Sequence, residues 1–293
     1  MRVLCLHGSG TNSRILRAQI EPFRRLLPAH YEFFYLEGEY ECGPAEGVAD
    51  VFPGPYLCYY PMPPTRESLR RAHDRVLEAV ERDGLFDIVL GFSQGAALAA
   101  SVLLHDAAST TLGKSQPRDD SEEPLFRAAV FLCASMPFSL SLRAGRNCAT
   151  DFDLTAAATD IVKAPSPLES SSSEDDDDDG IRASGRDDLG SDSGYEDDEK
   201  EEEKKKKRRT GSALPRRFDP SAHDARRIAI PTAHIIGKAD RWASQGQGLA
   251  ELCGGESARV LTLVHRWGHV IPRDQATSAA IAGLVESVVA AAR

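Results

Sequence analysis

The chain alternates short apolar runs with longer stretches in which apolar residues recur every three or four positions. Short apolar runs are typical of buried strands, and the longer periodic stretches predict helices with buried faces. Strands are predicted at 2–6, 31–36, 86–90, 128–133, 232–236 and 259–264. Helices are predicted at 13–27, 65–82, 96–105, 245–252 and 275–292. This order predicts an α/β fold with a mostly parallel, doubly wound sheet that helices cover on both faces.

Two segments interrupt this alternation. Residues 37–64 are rich in Gly, Pro and Tyr without a clear period, which is typical of a loop over a site. Residues 165–217 are rich in Ser and in charged residues, with almost no apolar residues to offset the entropy of ordering them. We therefore predict a single domain over 1–293 that carries a disordered acidic and basic insertion at 165–217. A surface loop tolerates such an insertion because extra loop length costs little closure entropy.

The formal charge divides unevenly along the 293 residues. The net charge is −10, and residues 163–217 supply half of it because they hold 17 acidic and 12 basic residues. An acidic chain is not typical of nucleic-acid binders, so we expect no nucleic-acid partner. The run Lys204–Arg209 allows a second interpretation, as a nuclear-targeting or polyanion-binding segment, although the acidic residues before it can pair with it.

The six cysteines lie far apart, without a CxxC pair or a histidine at zinc-site spacing, so no metal site is predicted. Cys5 and Cys133 fall in apolar runs, where a reduced cysteine packs as a small hydrophobic residue. The apolar part of MRVLCLHG is too short for a signal peptide, and no run approaches a membrane span. We therefore expect a cytoplasmic protein without membrane contact.

The pentapeptide GFSQG at residues 91–95 lies between a predicted apolar strand and a predicted apolar helix. This is the context of the GxSxG nucleophile elbow, in which a tight strand-to-helix turn lifts the serine into a strained, exposed position. The flanking glycines avoid the crowding that a side chain would cause. The pattern therefore predicts Ser93 as a nucleophile, with a tight connecting turn as the alternative interpretation.

A serine hydroxyl needs a histidine to accept its proton and a carboxylate to orient that histidine. His269 lies in the loop after the last predicted strand and is the predicted base, with His265 as its competitor. Asp240 follows the strand at 232–236 and is the predicted acid, whereas Asp274 is expected to cap the last helix. The chain order Ser, Asp, His is that of the α/β-hydrolase arrangement.

Two backbone N–H groups are predicted to stabilise the oxyanion of the reaction. The amide of Gln94 lies at a helix N-terminus, and the amide of Ser9 lies in the glycine-rich turn after the first strand. His7, in the same turn, is interpreted as a structural histidine that holds the loop. Such a site needs neither a metal nor an organic cofactor.

The motifs LCLHGSGTNS, GFSQGAALA, IGKADRW and HRWGHVIPRD resemble those of the family of serine hydrolases (FSH type) with an α/β-hydrolase fold. The resemblance covers the chain apart from the charged insertion. It implies a cytosolic esterase or thioesterase with Ser93, Asp240 and His269 as its triad. The chain is also similar to fungal members that accompany polyketide synthases. That similarity implies release or hydrolysis of a polyketide acyl thioester, free or bound to a carrier protein, in secondary metabolism.

The segment at 37–64 resembles the substrate-covering region of this family. Its aromatic residues suit an apolar acyl chain, with ordinary loop packing as the alternative. These residues are Phe52, Tyr56, Tyr59 and Tyr60. A further alternative for the whole protein is a non-catalytic relative that binds an acyl ligand or a partner, although such a protein has no need of all three triad residues.

Overall fold

The computed structural model describes residues 1–111, 124–140, 215–222, 226–255 and 258–293, with 108–111 described by their backbone. All of them belong to one compact unit. The strands in chain order are β1 (Arg2–Leu6), β2 (Glu32–Leu36), β3 (Tyr40–Glu41), β4 (Leu57–Cys58), β5 (Ile88–Phe92), β6 (Ala128–Leu132), β7 (Phe138–Ser139), β8 (Arg216–Arg217), β9 (Thr232–Gly237) and β10 (Val260–His265). The helices are α1 (Ser13–Arg24), α2 (Arg66–Asp83), α3 (Gln94–Thr111), α4 (Ala243–Glu251) and α5 (Gln275–Ala291).

Six strands form one parallel sheet in the order β10-β9-β6-β5-β1-β2. The chain adds β2 on one side of β1 and all later strands of the sheet on the other side, so the strand order reverses between β1 and β5. The loops that leave the carboxyl ends of these two strands diverge there and form the crevice in which open parallel sheets bind their ligands. The predicted α/β class with a parallel, doubly wound sheet is confirmed.

Alternate residues along each strand pack into two separate cores, one on each face of the sheet. Leu4 and Leu6 of β1 face the core that includes residues of α2, α3 and α4. Val3 and Cys5 of the same strand face the core that includes residues of α1 and α5. Because both faces are covered, the inner strands β1, β5 and β6 are almost entirely buried and apolar, which explains why they stand out as continuous apolar runs.

Side-chain caps stabilise the starts of α1, α2 and α5. The Oδ1 atom of Asn12 accepts the amide N–H of Ile15 at the start of α1, 2.9 Å away. Thr65 and Ser68 form a reciprocal capping box at the start of α2. Such caps satisfy amide groups that have no partner inside the helix. None of the described helices combines the length and the apolar character needed to cross a membrane.

The differences from the predicted elements are confined to element ends and to very short strands. Helix α1 ends at Arg24 rather than at residue 27. The segment predicted as a loop contains the antiparallel pair β3 and β4. Arg216 and Arg217, at the end of the predicted insertion, form β8 and pair with β7, and Arg217 is buried over the ring of Phe138. Residues 165–214 of the predicted insertion lie outside the described residues.

Candidate active site

Ser93 lies in the turn between β5 and α3 with a backbone φ of 52°. This left-handed conformation costs a residue with a side chain about 1–3 kcal/mol. A Cβ atom on Gly91 would lie 2.5 Å from the backbone of Ala96, and one on Gly95 would lie 2.2 Å from the carbonyl oxygen of Leu6. Only glycine fits at both positions, because the turn presses the start of α3 against the ends of β5 and β1. The predicted strained turn is thus present at Ser93.

Three side chains form a continuous hydrogen-bonded chain at the carboxyl edge of the sheet. The Nε2 atom of His269 lies 2.8 Å from the Oγ atom of Ser93, and its Nδ1 atom lies 2.7 Å from Oδ2 of Asp240. The other oxygen of Asp240 accepts the amide N–H of Trp242 at 2.8 Å. The Asp240 side chain is 2% exposed and that of His269 is 22% exposed. A buried carboxylate in this position favours the Nδ1–H tautomer, which leaves Nε2 free to accept the serine proton.

The loops that carry Asp240 and His269 are joined to each other by their backbones. The amide of Lys238 donates to the carbonyl oxygen of His265 at 2.7 Å. A Cβ atom on Gly237 would lie 2.3 Å from the carbonyl oxygen of Gly268, so only glycine allows this close approach. The ends of β9 and β10 therefore fix the separation between Asp240 and His269.

His265 and Asp274, the alternatives to His269 and Asp240, have other contacts. His265 is buried, and its Nε2 atom lies 3.8 Å from the Sγ atom of Cys133 rather than near Ser93. Burial lowers the pKa of His265, although Asp240 and Asp274 oppose this effect. Asp274 caps α5 by accepting the amide N–H of Thr277 at 2.9 Å, as predicted.

The two predicted oxyanion donors lie on either side of the turn that holds Ser93. The amide of Gln94 is the first of α3, and Ser9 follows Gly8, whose Cβ position would lie 3.4 Å from Cβ of Ser93. In the part of the chain that the structure describes, the amide N–H groups of Ser9 and Gln94 donate to no acceptor. Both are therefore available to a negatively charged oxygen at Ser93.

The side chain of Gln94 has a role that its local sequence does not indicate. Its Oε1 atom accepts the amide N–H of Tyr59 at 2.9 Å, and its Nε2 atom donates to the carbonyl oxygen of Tyr60 at 2.8 Å. The amide group thus ties the segment after β4 to the start of α3. In the sequence, the only sign of this role is a polar residue next to the predicted nucleophile. Its hydrogen-bond partners lie more than thirty positions away along the chain.

His7 is structural, as predicted. Its ring is fully buried, with Nδ1 2.8 Å from the carbonyl oxygen of Gly8 and Nε2 accepting the amide N–H of Gly38 at 2.9 Å. The Oε1 atom of Glu37 lies 3.4 Å from the same Nε2 atom. The ring holds the turn after β1 against the segment after β2.

The four aromatic residues predicted to contact substrate fall into two groups. Tyr59 and Tyr60 are 0% and 2% exposed and belong to one of the two cores, so ordinary packing, the alternative interpretation, accounts for both. Phe52 and Tyr56 are partly exposed, and the hydroxyl of Tyr56 donates to the carbonyl oxygen of Phe52 at 2.7 Å. A substrate contact therefore stays a prediction for Phe52 and Tyr56 alone.

Replacing Tyr59 with Phe should lower the free energy of unfolding by about 2–3 kcal/mol, because two buried polar groups lose their partner. The hydroxyl of Tyr59 accepts the amide N–H of His7 at 2.9 Å and donates to the carbonyl oxygen of Leu36 at 2.8 Å. Urea denaturation measures the change, with Tyr40→Phe on the half-buried strand β3 as the control. Unchanged stability together with a raised KM would instead favour a substrate contact at Tyr59.

Cys133, Asp240 and His269 are the group of metal-ligating side chains found close together among the described residues, with ligand atoms within 4.8 Å of one another. Burial raises the pKa of the Cys133 thiol to about 12, which disfavours the thiolate that metals prefer. A metal would also have to break the bond between Asp240 and His269. The arrangement therefore fits proton transfer better than metal binding.

The strand order of the parallel sheet reverses beside a strained serine. A histidine is hydrogen-bonded to that serine, and an aspartate is hydrogen-bonded to the histidine. Together these features define the α/β-hydrolase class. Within that class, the chain belongs to the family described as serine hydrolase (FSH1), whose model matches residues 1–281. The family resemblance inferred from the four motifs is confirmed. The protein is a serine hydrolase.

Curated relatives match almost the whole chain. Esterase alnB of Emericella nidulans is 31% identical over 274 residues, which cover 93% of this chain and 90% of the relative. Esterase FPY3 of Fusarium mangiferae is 31% identical over 277 residues, which cover 93% and 89%. Among solved structures, a carboxylesterase from Mesorhizobium loti aligns with a TM-score of 0.46 at 16% identity, covering 99% of this chain and 88% of that one. The fold assignment rests on the strand order described above and not on this likeness.

Proposed function

We propose that Ser93 is the nucleophile, His269 the general base and acid, and Asp240 the residue that orients His269 in the cleavage of an acyl ester or thioester. The observation that carries the proposal is the pair of hydrogen bonds that joins the three side chains, at 2.8 and 2.7 Å. Both distances lie in the range expected for hydrogen bonds between a nucleophile, its general base and the group that orients the base.

In the first half of the reaction His269 takes the proton of Ser93 as the oxygen attacks the acyl carbon. The carbonyl oxygen becomes an oxyanion, which accepts hydrogen bonds from the amide groups of Gln94 and Ser9. His269 then gives the proton to the leaving alcohol or thiol, and an acyl-enzyme remains on Ser93. In the second half a water molecule takes the place of the leaving group, and the same proton transfers free the acid.

We further propose that the substrate is an acyl thioester or ester of fungal secondary metabolism, of the polyketide type. The resemblance of the four motifs to fungal members that accompany polyketide synthases supports this substrate class. The similarity to fungal esterases over nearly the whole chain agrees with it. The partly exposed Phe52 and Tyr56 offer apolar surface for the acyl group.

Labelling with a fluorophosphonate tests the mechanism, because this reagent forms a stable bond with an activated serine. We expect one label per folded molecule by intact mass, and none in the His269→Ala variant. A folded wild-type protein that takes no label would favour an acyl-binding relative without catalysis. Matched acyl esters and thioesters then test the substrate class: turnover of the esters alone would exclude the thioester proposal and leave the serine hydrolase mechanism in place.

A further inference from the structure

Two free cysteines lie on the hairpin of β3 and β4, beside the turn that carries Ser9. Cys58 is the last residue of β4 and is paired with Tyr40, and Cys42 directly follows β3. The amide N–H of Cys42 donates to the carbonyl oxygen of Tyr56 at 2.9 Å, so the antiparallel pairing continues past the end of the strand. Because alternate residues of a strand share a face, the side chains of Cys42 and Cys58 lie diagonally on the same face of the hairpin.

Backbone hydrogen bonds join this hairpin to the turn after β1. The amide N–H of Gly10 donates to the carbonyl oxygen of Leu57 at 3.0 Å, and that of Leu57 donates to the carbonyl oxygen of Thr11 at 2.7 Å. The Oγ atom of Ser9 lies 4.0 Å from Sγ of Cys42. A shift of either strand would therefore move the turn that holds one of the two proposed oxyanion donors.

The two thiols differ in access and in acidity. Cys42 is partly exposed, whereas Cys58 is 2% exposed. A hydrogen bond from the Cys58 thiol, helped by Gly10 and Ser9, lowers the pKa of Cys42 to about 7 although partial burial opposes it. The same hydrogen bond, together with burial, raises the pKa of Cys58 above its usual range. At neutral pH a large share of Cys42 is therefore the reactive thiolate, with a protonated thiol beside it.

We propose that Cys42 and Cys58 form an oxidation site that reacts with hydroperoxides and closes to a disulfide. The thiolate of Cys42 attacks one oxygen of the peroxide, the O–O bond breaks, and Cys42 becomes a sulfenic acid. Cys58 then gives up its proton and attacks the Cys42 sulfur, the S–O bond breaks, and the hydroxyl leaves as water. The two thiols lose two electrons in total, and hydrogen peroxide is reduced to two water molecules.

The disulfide should disturb the turn after β1, because its closure requires the two strands to move. Diagonal residues of an antiparallel pair have Cα atoms about 7–8 Å apart, whereas a disulfide joins Cα atoms about 4.4–6.8 Å apart. Strands β3 and β4 have two residues each, so the movement disrupts few ladder hydrogen bonds. The consequence for hydrolysis rests on the proposed role of the Ser9 amide as an oxyanion donor.

Treatment of the whole protein with hydrogen peroxide tests the site, with peptide mapping and the rate of fluorophosphonate labelling as readouts. We expect a disulfide between Cys42 and Cys58 and a labelling rate at least about tenfold lower, since loss of one oxyanion donor costs about 10²- to 10³-fold. Dithiothreitol should restore both. Alkylation of the folded protein should follow an ionisation near pH 7 at Cys42. The thiols whose pKa burial raises should react far more slowly, namely Cys5, Cys133 and Cys253.

Three variants separate the steps of the reaction. Cys42→Ser should form no disulfide and keep its labelling rate under peroxide. In Cys58→Ala the reaction should stop at the sulfenic acid of Cys42, which dimedone traps. Cys253→Ala removes a buried thiol just after α4 and is the matched control, which should respond to peroxide like the wild type. Thermal unfolding verifies that each variant is folded.

The outcomes that would overturn the inference are distinct from failure of the proposed function. A Cys42 that stays reduced under peroxide, or that pairs with Cys148 instead of Cys58, would remove the oxidation site. A disulfide between Cys42 and Cys58 with an unchanged labelling rate would remove its coupling to the turn. If fluorophosphonate labels neither the reduced nor the oxidised protein, the proposed function fails, and peptide mapping still decides whether the disulfide forms.

Discussion

Replacing Ser93 with alanine should lower kcat by about 10⁴-fold or more, because its hydroxyl is the one that is hydrogen-bonded to His269 among the residues that the structure describes. Removal of Oγ leaves the fold intact, since alanine has the same backbone limits as serine at a φ of 52°. The measurement is steady-state hydrolysis of an activated ester, together with fluorophosphonate labelling. Thermal unfolding verifies that the variant is folded.

Ser244→Ala, an exposed hydroxyl on α4, provides the matched control and should keep wild-type turnover. Substantial turnover by a folded Ser93→Ala variant would contradict the assignment of the nucleophile. Unchanged labelling in that variant would point to a different activated serine.

Replacing Asp240 with asparagine should lower kcat by about 10³- to 10⁴-fold while the protein stays folded. The amide keeps the size of the carboxylate and its oxygen can still accept the Trp242 amide, but its NH₂ group would then face Nδ1 of His269. That contact places the ring proton on Nε2, which can no longer accept the proton of Ser93. Hydrolysis and labelling rates should therefore fall together.

Asp274→Asn is the control for this variant because it changes a carboxylate on the neighbouring loop and asparagine also caps helices well. It should change turnover by less than about twofold. If both variants lose activity equally, the loss reflects disturbance of the loops rather than the identity of the acid.

The sheet and the three residues of the candidate site could be predicted because each is marked by local sequence. Strands buried on both faces are continuous apolar runs, and the predicted strands fall within two residues of the observed ones. Ser93, Asp240 and His269 each follow such a run, and the carboxyl ends of parallel strands meet at one edge of a sheet. Chain order and strand position were therefore enough to bring the three residues together.

The features that were missed depend on contacts between distant parts of the chain. Strands β3, β4, β7 and β8 have two residues each, which is too short for any hydrophobic period. The contacts of the Gln94 side chain and the nearness of Cys133 to Asp240 join residues from different loops. Tyr59 and Tyr60 occur in a polar, glycine-rich segment, so their composition gave no indication that tertiary packing buries them.

The antiparallel pair of β7 and β8 has a practical consequence for protein engineering. Ser139 and Arg216 are opposite each other in this pair, so the long stretch of chain between them begins and ends at adjacent positions. The length of a stretch with fixed ends has a small effect on folding, since each doubling costs about 0.6 kcal/mol of closure entropy. A reporter domain inserted between these two strands should therefore be tolerated, because its ends would be held together at a point outside the Ser93, His269 and Asp240 hydrogen bonds.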